Sequence, residues 1–311
     1  MEPNHETYNR TARAIAAFAA LLLAVPAAAS TLSATDALGR RVTLEKPPQR
    51  IVSWAPNVTE ILFALGLRDK VVGVTRYCNF PPEARSRTKI GSITEPSLEA
   101  TLALRPDLVI GSRLNPKPAF QALDRAGVPS LAVEARSISQ TFNVIASIGS
   151  ITGANGAAKT LCDDMRRRMD AVRRRTRRLP ANSRPLTLVA YEVRPLWTCG
   201  ADTFPHEALT IAGGRNLAAD ASGYVTYPVE AVLKKRPQVI LVTPMSADDA
   251  PAAKQRVLRE SAWASLPAVK NRRVYAVNQD MIDRAGPRIV DAIEEIALLL
   301  HPELFRSAKA R

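Results

Sequence analysis

The chain has 311 residues, enough for two domains or one large one. Its 46% hydrophobic content can fill packed cores, and a formal charge of +14, mostly arginine, favours anionic partners such as nucleic acid, phosphate-bearing ligands or a lipid surface. Three cysteines without a CxxC pair, and three scattered histidines, write neither a zinc site nor a dithiol redox motif.

The chain opens with Arg10 and Arg13, an apolar run from Ala14 to Val25, then Pro26 and small residues up to Ser30. A charged start, a short apolar segment and a small-residue site predict a secretory signal over 1–29, cleaved after Ala29. The run is too short to span a bilayer. No cysteine stands near the site, so no acceptor for a lipid anchor is expected. The expected location is the periplasm. Exported proteins seldom meet nucleic acid, so none is expected as a partner. One disulfide is possible among Cys78, Cys162 and Cys199, with the pair left open.

Short apolar runs then alternate with amphipathic stretches. Arg50–Trp54 reads as a strand. "PNVTEILFALGL" reads as a helix, with Asn57 as cap, Glu60 reaching back to it, and Gly66 as stop. Strands follow at Lys70–Thr75, Asp107–Ile110 and Ser130–Val133, with helices at Ser97–Leu104 and Pro118–Ala126. This spacing argues for βαβ units and a parallel sheet. From Ser137 to Leu179 there is no strand signal. Two helices are predicted, broken near Gly153. The second carries Leu161, Met165, Met169 and Val172 on one face and is long enough to act as a stiff strut. After Pro185 the alternation resumes and ends in the helix "PRIVDAIEEIALLL". The organisation read from this is a signal (1–29), an N-terminal α/β lobe (30–136), a helical segment (137–180) and a C-terminal α/β lobe (181–311).

The two lobes echo one another. "SLEATLALRPDLVIG" begins at Ser97 and "PVEAVLKKRPQVILVT" at Pro228. Glu99 and Glu230 head the two helices, and Arg105-Pro106 and Arg236-Pro237 follow at equal offsets. No GxSxG, HExxH, P-loop or GxGxxG motif is present, so no enzymatic activity is expected. His301 is expected to cap the end of an apolar helix. His206, beside Glu207 at a helix start, is the one candidate for metal or acid–base work. Aromatic residues cluster instead in three loop-like stretches: Tyr77–Pro81, Leu196–Gly200 and Gly223–Pro228. Loops at strand carboxyl ends are where such folds hold ligands. Arginines at 166–168, 173–175, 177 and 178 are expected to form a solvated helix face or a weak attraction for anionic headgroups.

"RIVSWAPNVTEILFALGLRDKVVGVTRYCNFPPEA", "SLEATLALRPDLVIGS" and "DRAGPRIVDAIEEIA" together resemble the periplasmic substrate-binding proteins of ABC importers for cobalamin, haem and iron–siderophores. The resemblance covers roughly Val42 to Leu300 and implies two Rossmann-like lobes with parallel central sheets bridged by a long rigid α-helix. This is the class III periplasmic binding protein fold. It implies a monomer that catalyses nothing and holds a tetrapyrrole-like ligand between its lobes. "GVTRYCNFPPEA", "PLWTCG" and "NQDMIDRAGPR" are most similar to the cobalamin binders. They imply ligand contacts from Tyr77, Trp197, Gly200, Tyr224, Asp280 and Arg284. The chain departs from those binders at Ile93 and Ser112, where they can carry tryptophan. A haem carrier of the family would use Tyr77 or His206 on iron. Glu99 and Glu230 match the acidic residues that dock on arginines of the importer's dimeric permease.

Overall fold

The computed structural model describes residues 31–246 and 248–305, so the expected signal and its cleavage point lie outside the described residues. An antiparallel hairpin, β1 (Leu32–Thr35) with β2 (Arg41–Leu44), leads into the first lobe. There β3 (Ile51–Ser53), β4 (Val71–Val74), β5 (Thr88–Lys89), β6 (Leu108–Ser112) and β7 (Ser130–Val133) form one parallel sheet in the order β5-β4-β3-β6-β7. Its central strands are buried on both faces, as their unbroken apolar runs require. The connecting helices are α1 (Pro56–Ala64), α2 (Leu98–Ala103) and α3 (Lys117–Arg125).

Two helices follow, α4 (Ile138–Thr152) and α5 (Asn155–Thr176). Ser137 accepts the Gln140 amide to start α4, and Gly153 ends it at φ 74°, a left-handed turn that costs glycine nothing. The 22 residues of α5 span about 33 Å. Met165, Met169 and Val172 are buried along its predicted stripe, with Leu161 half-buried beside them.

The second lobe carries β8 (Leu186–Val193), β9 (Leu196–Cys199), β10 (Arg215–Asn216), β11 (Tyr224–Thr226), β12 (Val239–Val242) and β13 (Val274–Ala276) in the order β11-β9-β8-β12-β13, with β10 beside β8. Its longer helices are α6 (Phe204–Ile211), α7 (Val229–Lys235), α8 (Ala250–Leu258), α9 (Gln279–Asp283) and α10 (Ile289–Leu300), with single turns at Pro267–Lys270 and Pro302–Phe305. This sheet is mixed. Its central pairs, β10–β8, β8–β12 and β12–β13, are parallel as expected, and strand β9 runs antiparallel to both its neighbours at one edge. Two of the three aromatic stretches expected as loops are therefore strands, β9 and β11. At four and three residues they are too short for alternation to mark them.

One apolar cluster runs from Ile51 and Leu108 through Ile145, Met165 and Met169 to Leu209, Leu241 and Ile293. Both sheets thus share a core through α4 and α5. Smaller clusters cover the outer faces, one around Trp54 and Phe120, the other around Trp263. Arginines just past the middle of α5 are paired: Arg166 with Asp163, Arg167 with Asp164, and Arg168 with Asp291 and Glu294 of α10. The last of these ties the strut to the second lobe. No helix among the described residues is long and apolar enough to cross a membrane. Cys78, Cys162 and Cys199 are all buried and unpaired, so the disulfide that export would permit is not formed.

The sequence echo has a backbone meaning. Arg105 and Arg236 both take positive φ, 45° and 54°, two residues past the end of α2 and one past the end of α7. Proline next in line disfavours the right-handed helical region for the residue before it. The chain leaves each helix through the left-handed region and enters a buried strand. An arginine there is strained by about 1 kcal/mol. Arg236→Gly is therefore expected to stabilise the fold by about 0.5 kcal/mol, after the unfolded chain's gain in freedom is set against the relief. An unchanged or lowered urea midpoint would contradict this.

The expected capping box of α1 is not formed. Ala55 stands at the cap, Pro56 fills the first turn, and no side chain caps the helix. Proline has no amide to satisfy there. Glu60 is thereby free for another use. His301 is the C-cap residue of α10, its backbone N–H donating to Ala297 O at 2.9 Å, but its imidazole turns away from the helix carbonyls. Its Nε2 lies 3.1 Å from the Gly213 carbonyl oxygen, tying the helix to the sheet side of the lobe.

Candidate functional site

Parallel strands deliver their loops to one end, so the loops after β3 and β4 and those around β8, β9 and β13 face the junction between the lobes. Large aromatic side chains lie exposed in these segments. Tyr77 is 45% exposed on the loop after β4, with the Arg76 guanidinium 5.3 Å over its ring. Trp197 on β9 is 39% exposed and Tyr224 on β11 is 41% exposed. The register places Thr226 opposite Trp197 and Tyr224 opposite Cys199. Residues two apart on a strand share a face, so Trp197 and Tyr224 stand on the same face of the sheet.

Beneath them lies a carboxylate with two phenol partners. Tyr191 donates to Asp283 Oδ1 at 2.6 Å and Tyr224 donates to the same oxygen at 2.9 Å. The two rings meet edge to face, their centroids 5.6 Å apart. Burial pushes the Asp283 carboxyl up to about 6, against the hydrogen bonds of Tyr191, Tyr224 and Gln279 that favour the anion. Burial likewise pushes the Cys199 thiol up to about 12, leaving it a neutral packing group. Burial and the neighbouring Asp283 raise both tyrosine hydroxyls, which remain donors.

Asp283 has a consequence for stability. Its ordinary value is 3.8. Between that and about 6 the folded chain holds a proton the unfolded chain has released, so stability falls as pH rises across this window and is level above it. Asparagine in place of Asp283 keeps an acceptor for both phenols without the charge. Asp283→Asn is expected to be at least as stable as the parent at pH 7, with the difference closing by pH 4. Parallel urea titrations at the two pH values check this.

Gly200 does not present itself to the cleft by its own surface. A Cβ there would sit 2.2 Å from the Ala221 carbonyl oxygen. Its missing side chain lets the Ala221–Gly223 segment close on β9, with Gly200 N–H donating to Gly223 O at 2.7 Å. Asp280 is 8% exposed and accepts from Asn79 Nδ2 at 2.7 Å. Arg284 also spans the junction. It donates to Glu60 and Asn79 at 2.9 Å each and to the Tyr77 carbonyl at 3.2 Å, and pairs with Asp280 at 2.7 Å. Arg288 closes on Glu60 with two bonds, at 2.9 and 2.7 Å, and lies 4.0 Å over the Phe80 ring. The roles of Glu60, Asn79 and Arg288 escape sequence reading, because their partners lie some 200 residues away.

Glu99 and Glu230 are exposed in the first turns of α2 and α7, one on each lobe. His206 and Glu207 do not form a reactive pair. Glu207 accepts the Ile138 amide at 2.6 Å, clamping the start of α4 to the second lobe, and His206 Nδ1 lies 3.4 Å from Asn216 Nδ2. No cluster of three or more potential metal ligands occurs among the described residues.

Residues 51–281 match the family described as "Periplasmic binding protein". The chain belongs to that family. The proteins it resembles include an uncharacterised ABC transporter substrate-binding lipoprotein, YvrC, of Bacillus subtilis, 34% identical over 87% of this chain and 86% of the relative. The vitamin B12-binding protein of Vibrio cholerae is 30% identical over 82% of this chain and 90% of its own length. Among solved structures, the apo periplasmic heme-binding protein RhuT of Roseiflexus sp. RS-1 superposes with a TM-score of 0.73 at 27% identity, over 82% of this chain and 99% of that one. The periplasmic binding protein fold expected from the resemblance is thus the fold observed, in its class III form of two lobes on a helical bridge. Members of this family bind and deliver solutes rather than transform them.

Proposed function

We propose that this protein captures cobalamin between its lobes in the periplasm and delivers it to an ABC importer. The observation that carries the reading is the set of exposed rings at the lobe junction: Tyr77 from the first lobe, Trp197 and Tyr224 from one sheet face of the second. Flat aromatic surface binds a broad, mostly apolar ring system at low entropic cost. Tyr77, Trp197 and Tyr224 make the stacking contacts. Asp280 and Arg284, committed to the inter-lobe cluster, act on the ligand through the shape they give the cleft floor, and Gly200 through the β9–β11 edge. The vitamin B12-binding relative in Vibrio cholerae supports the choice of ligand. Glu99 and Glu230 carry one negative charge per lobe to the importer, a spacing suited to a two-fold permease dimer.

Haem is the second reading. The heme-binding structural relative and an exposed Tyr77 phenol beside the Arg76 guanidinium favour it. Titration with cyanocobalamin and with hemin separates the two. Micromolar or tighter binding of cyanocobalamin, lost on Trp197→Ala, supports the first. A Soret band that shifts on Tyr77→Phe, without cyanocobalamin binding, replaces it with the second.

The shared core argues for little lobe movement on binding. A wide hinge would shear the apolar contacts that pass through α4 and α5. Scattering curves with and without ligand should nearly superpose.

A further inference from the structure

The cluster at the lobe junction is larger than a fastening needs. The continuous core already joins the lobes, and a buried ionic cluster is a costly way to add stability where apolar side chains would serve. What ionic groups with fixed hydrogen bonds add is direction. Here the direction leads to one cleft residue. Glu60, 3% exposed on α1, receives Arg284 at 2.9 Å and Arg288 at 2.9 and 2.7 Å from the second lobe. Gly286, between those arginines, brings its backbone close: a Cβ there would stand 3.4 Å from Glu60 Oε2. The guanidinium of Arg284, thus oriented, donates to the carbonyl of Tyr77 at 3.2 Å and to Asn79 in the same loop at 2.9 Å. Asn79 in turn holds Asp280. Two carboxylates and two guanidiniums balance in charge, and every bond that crosses between the lobes runs to the loop that carries Tyr77 or to α1.

We propose that Glu60 is a positioning residue for the ligand. It fixes Arg284, and Arg284 fixes the Tyr77 backbone, so the first lobe's stacking ring is placed by a residue of the second lobe. This rests on the reading that Tyr77 contacts the ligand. Capture of the ligand and registry of the two lobes are then one event: a lobe displacement that breaks the Arg284 bonds also withdraws the ring.

A double-mutant cycle tests this, with cyanocobalamin as probe and hemin as a parallel arm. Glu60→Gln is nearly isosteric and removes the charge that orients the arginines. It is expected to weaken binding about 5- to 30-fold, mainly through faster dissociation. Tyr77→Ala weakens binding on its own, and the double variant binds no more weakly than Tyr77→Ala alone, because Glu60 acts through that ring. Losses that simply multiply, or unchanged affinity in Glu60→Gln, overturn the proposal. Arg284→Lys serves if Glu60→Gln does not fold. It keeps a positive charge beside Glu60 but loses the fork that reaches Tyr77, and the same non-additivity with Tyr77→Ala is expected. Tyr77→Ala that binds both probes as the parent does overturns the site reading itself, a failure distinct from additivity between Glu60 and Tyr77.

Discussion

Replacing Glu99 and Glu230 together by alanine is expected to leave ligand affinity unchanged while abolishing import. Both side chains are exposed on the first turns of short helices, one in each lobe, and touch nothing in the cleft. A charge-assisted hydrogen bond from a partner's arginine to each is worth about 1.5–3 kcal/mol. Losing both weakens docking by at least about 100-fold, and losing one by about 10-fold or more. Because the groups are exposed, docking should also weaken with salt over the range where the Debye length shrinks below about 10 Å. Uptake of labelled ligand into vesicles holding the purified importer measures the effect. Uptake by the double variant at the parent's rate would refute the docking role.

The largest stability effect is expected at Gly200. Alanine there places a methyl group 2.2 Å from the Ala221 carbonyl oxygen and 2.9 Å from the Ser222 nitrogen. These are backbone atoms, held by the β9–β11 pairing and by Gly200 N–H to Gly223 O. They cannot swing aside as a side chain would. The edge of the second sheet must shift, at about 2–3 kcal/mol. Gly39→Ala is the control. Gly39 has φ 81° but open space around it, so its substitution costs about 1 kcal/mol of backbone strain alone. Urea midpoints that fall equally for the two variants would show that the close approach at Gly200 is not tight. Because Trp197 and Tyr224 sit on the same two strands, Gly200→Ala should also weaken ligand binding even where the protein remains folded.

Much of the fold was legible in local pattern. Ser130–Val133 has the bounds its sequence predicts, and the helix expected behind Glu230 is found at Val229–Lys235, since unbroken apolar runs and helix-heading acids are local signals. The Arg-Pro echo marked two equivalent helix exits before any backbone angle was known. The β9 and β11 strands were read as loops because three or four residues cannot display a period, and their pairing comes from tertiary contact. The β1–β2 hairpin, ahead of the first expected strand, was missed for the same reason. Within the site, exposed rings beside proline and glycine pointed to Tyr77, Trp197 and Tyr224. Nothing local could show that Arg284 spends three of its bonds on the opposite lobe. Asn57 and Glu60 have the spacing of a capping box, yet Pro56 starts the helix without one, and Glu60 turns to partners 224 and 228 residues further on.

The apolar seam through α4 and α5 belongs to neither half. A chimera splicing the opening portion of one receptor onto the closing portion of another would cut across Phe142, Ile145, Met165 and Met169 and leave oily faces that were never shaped for each other. If Trp197 and Tyr224 hold the ligand as proposed, editing those rim positions changes the cargo with less damage than shuffling lobes between relatives.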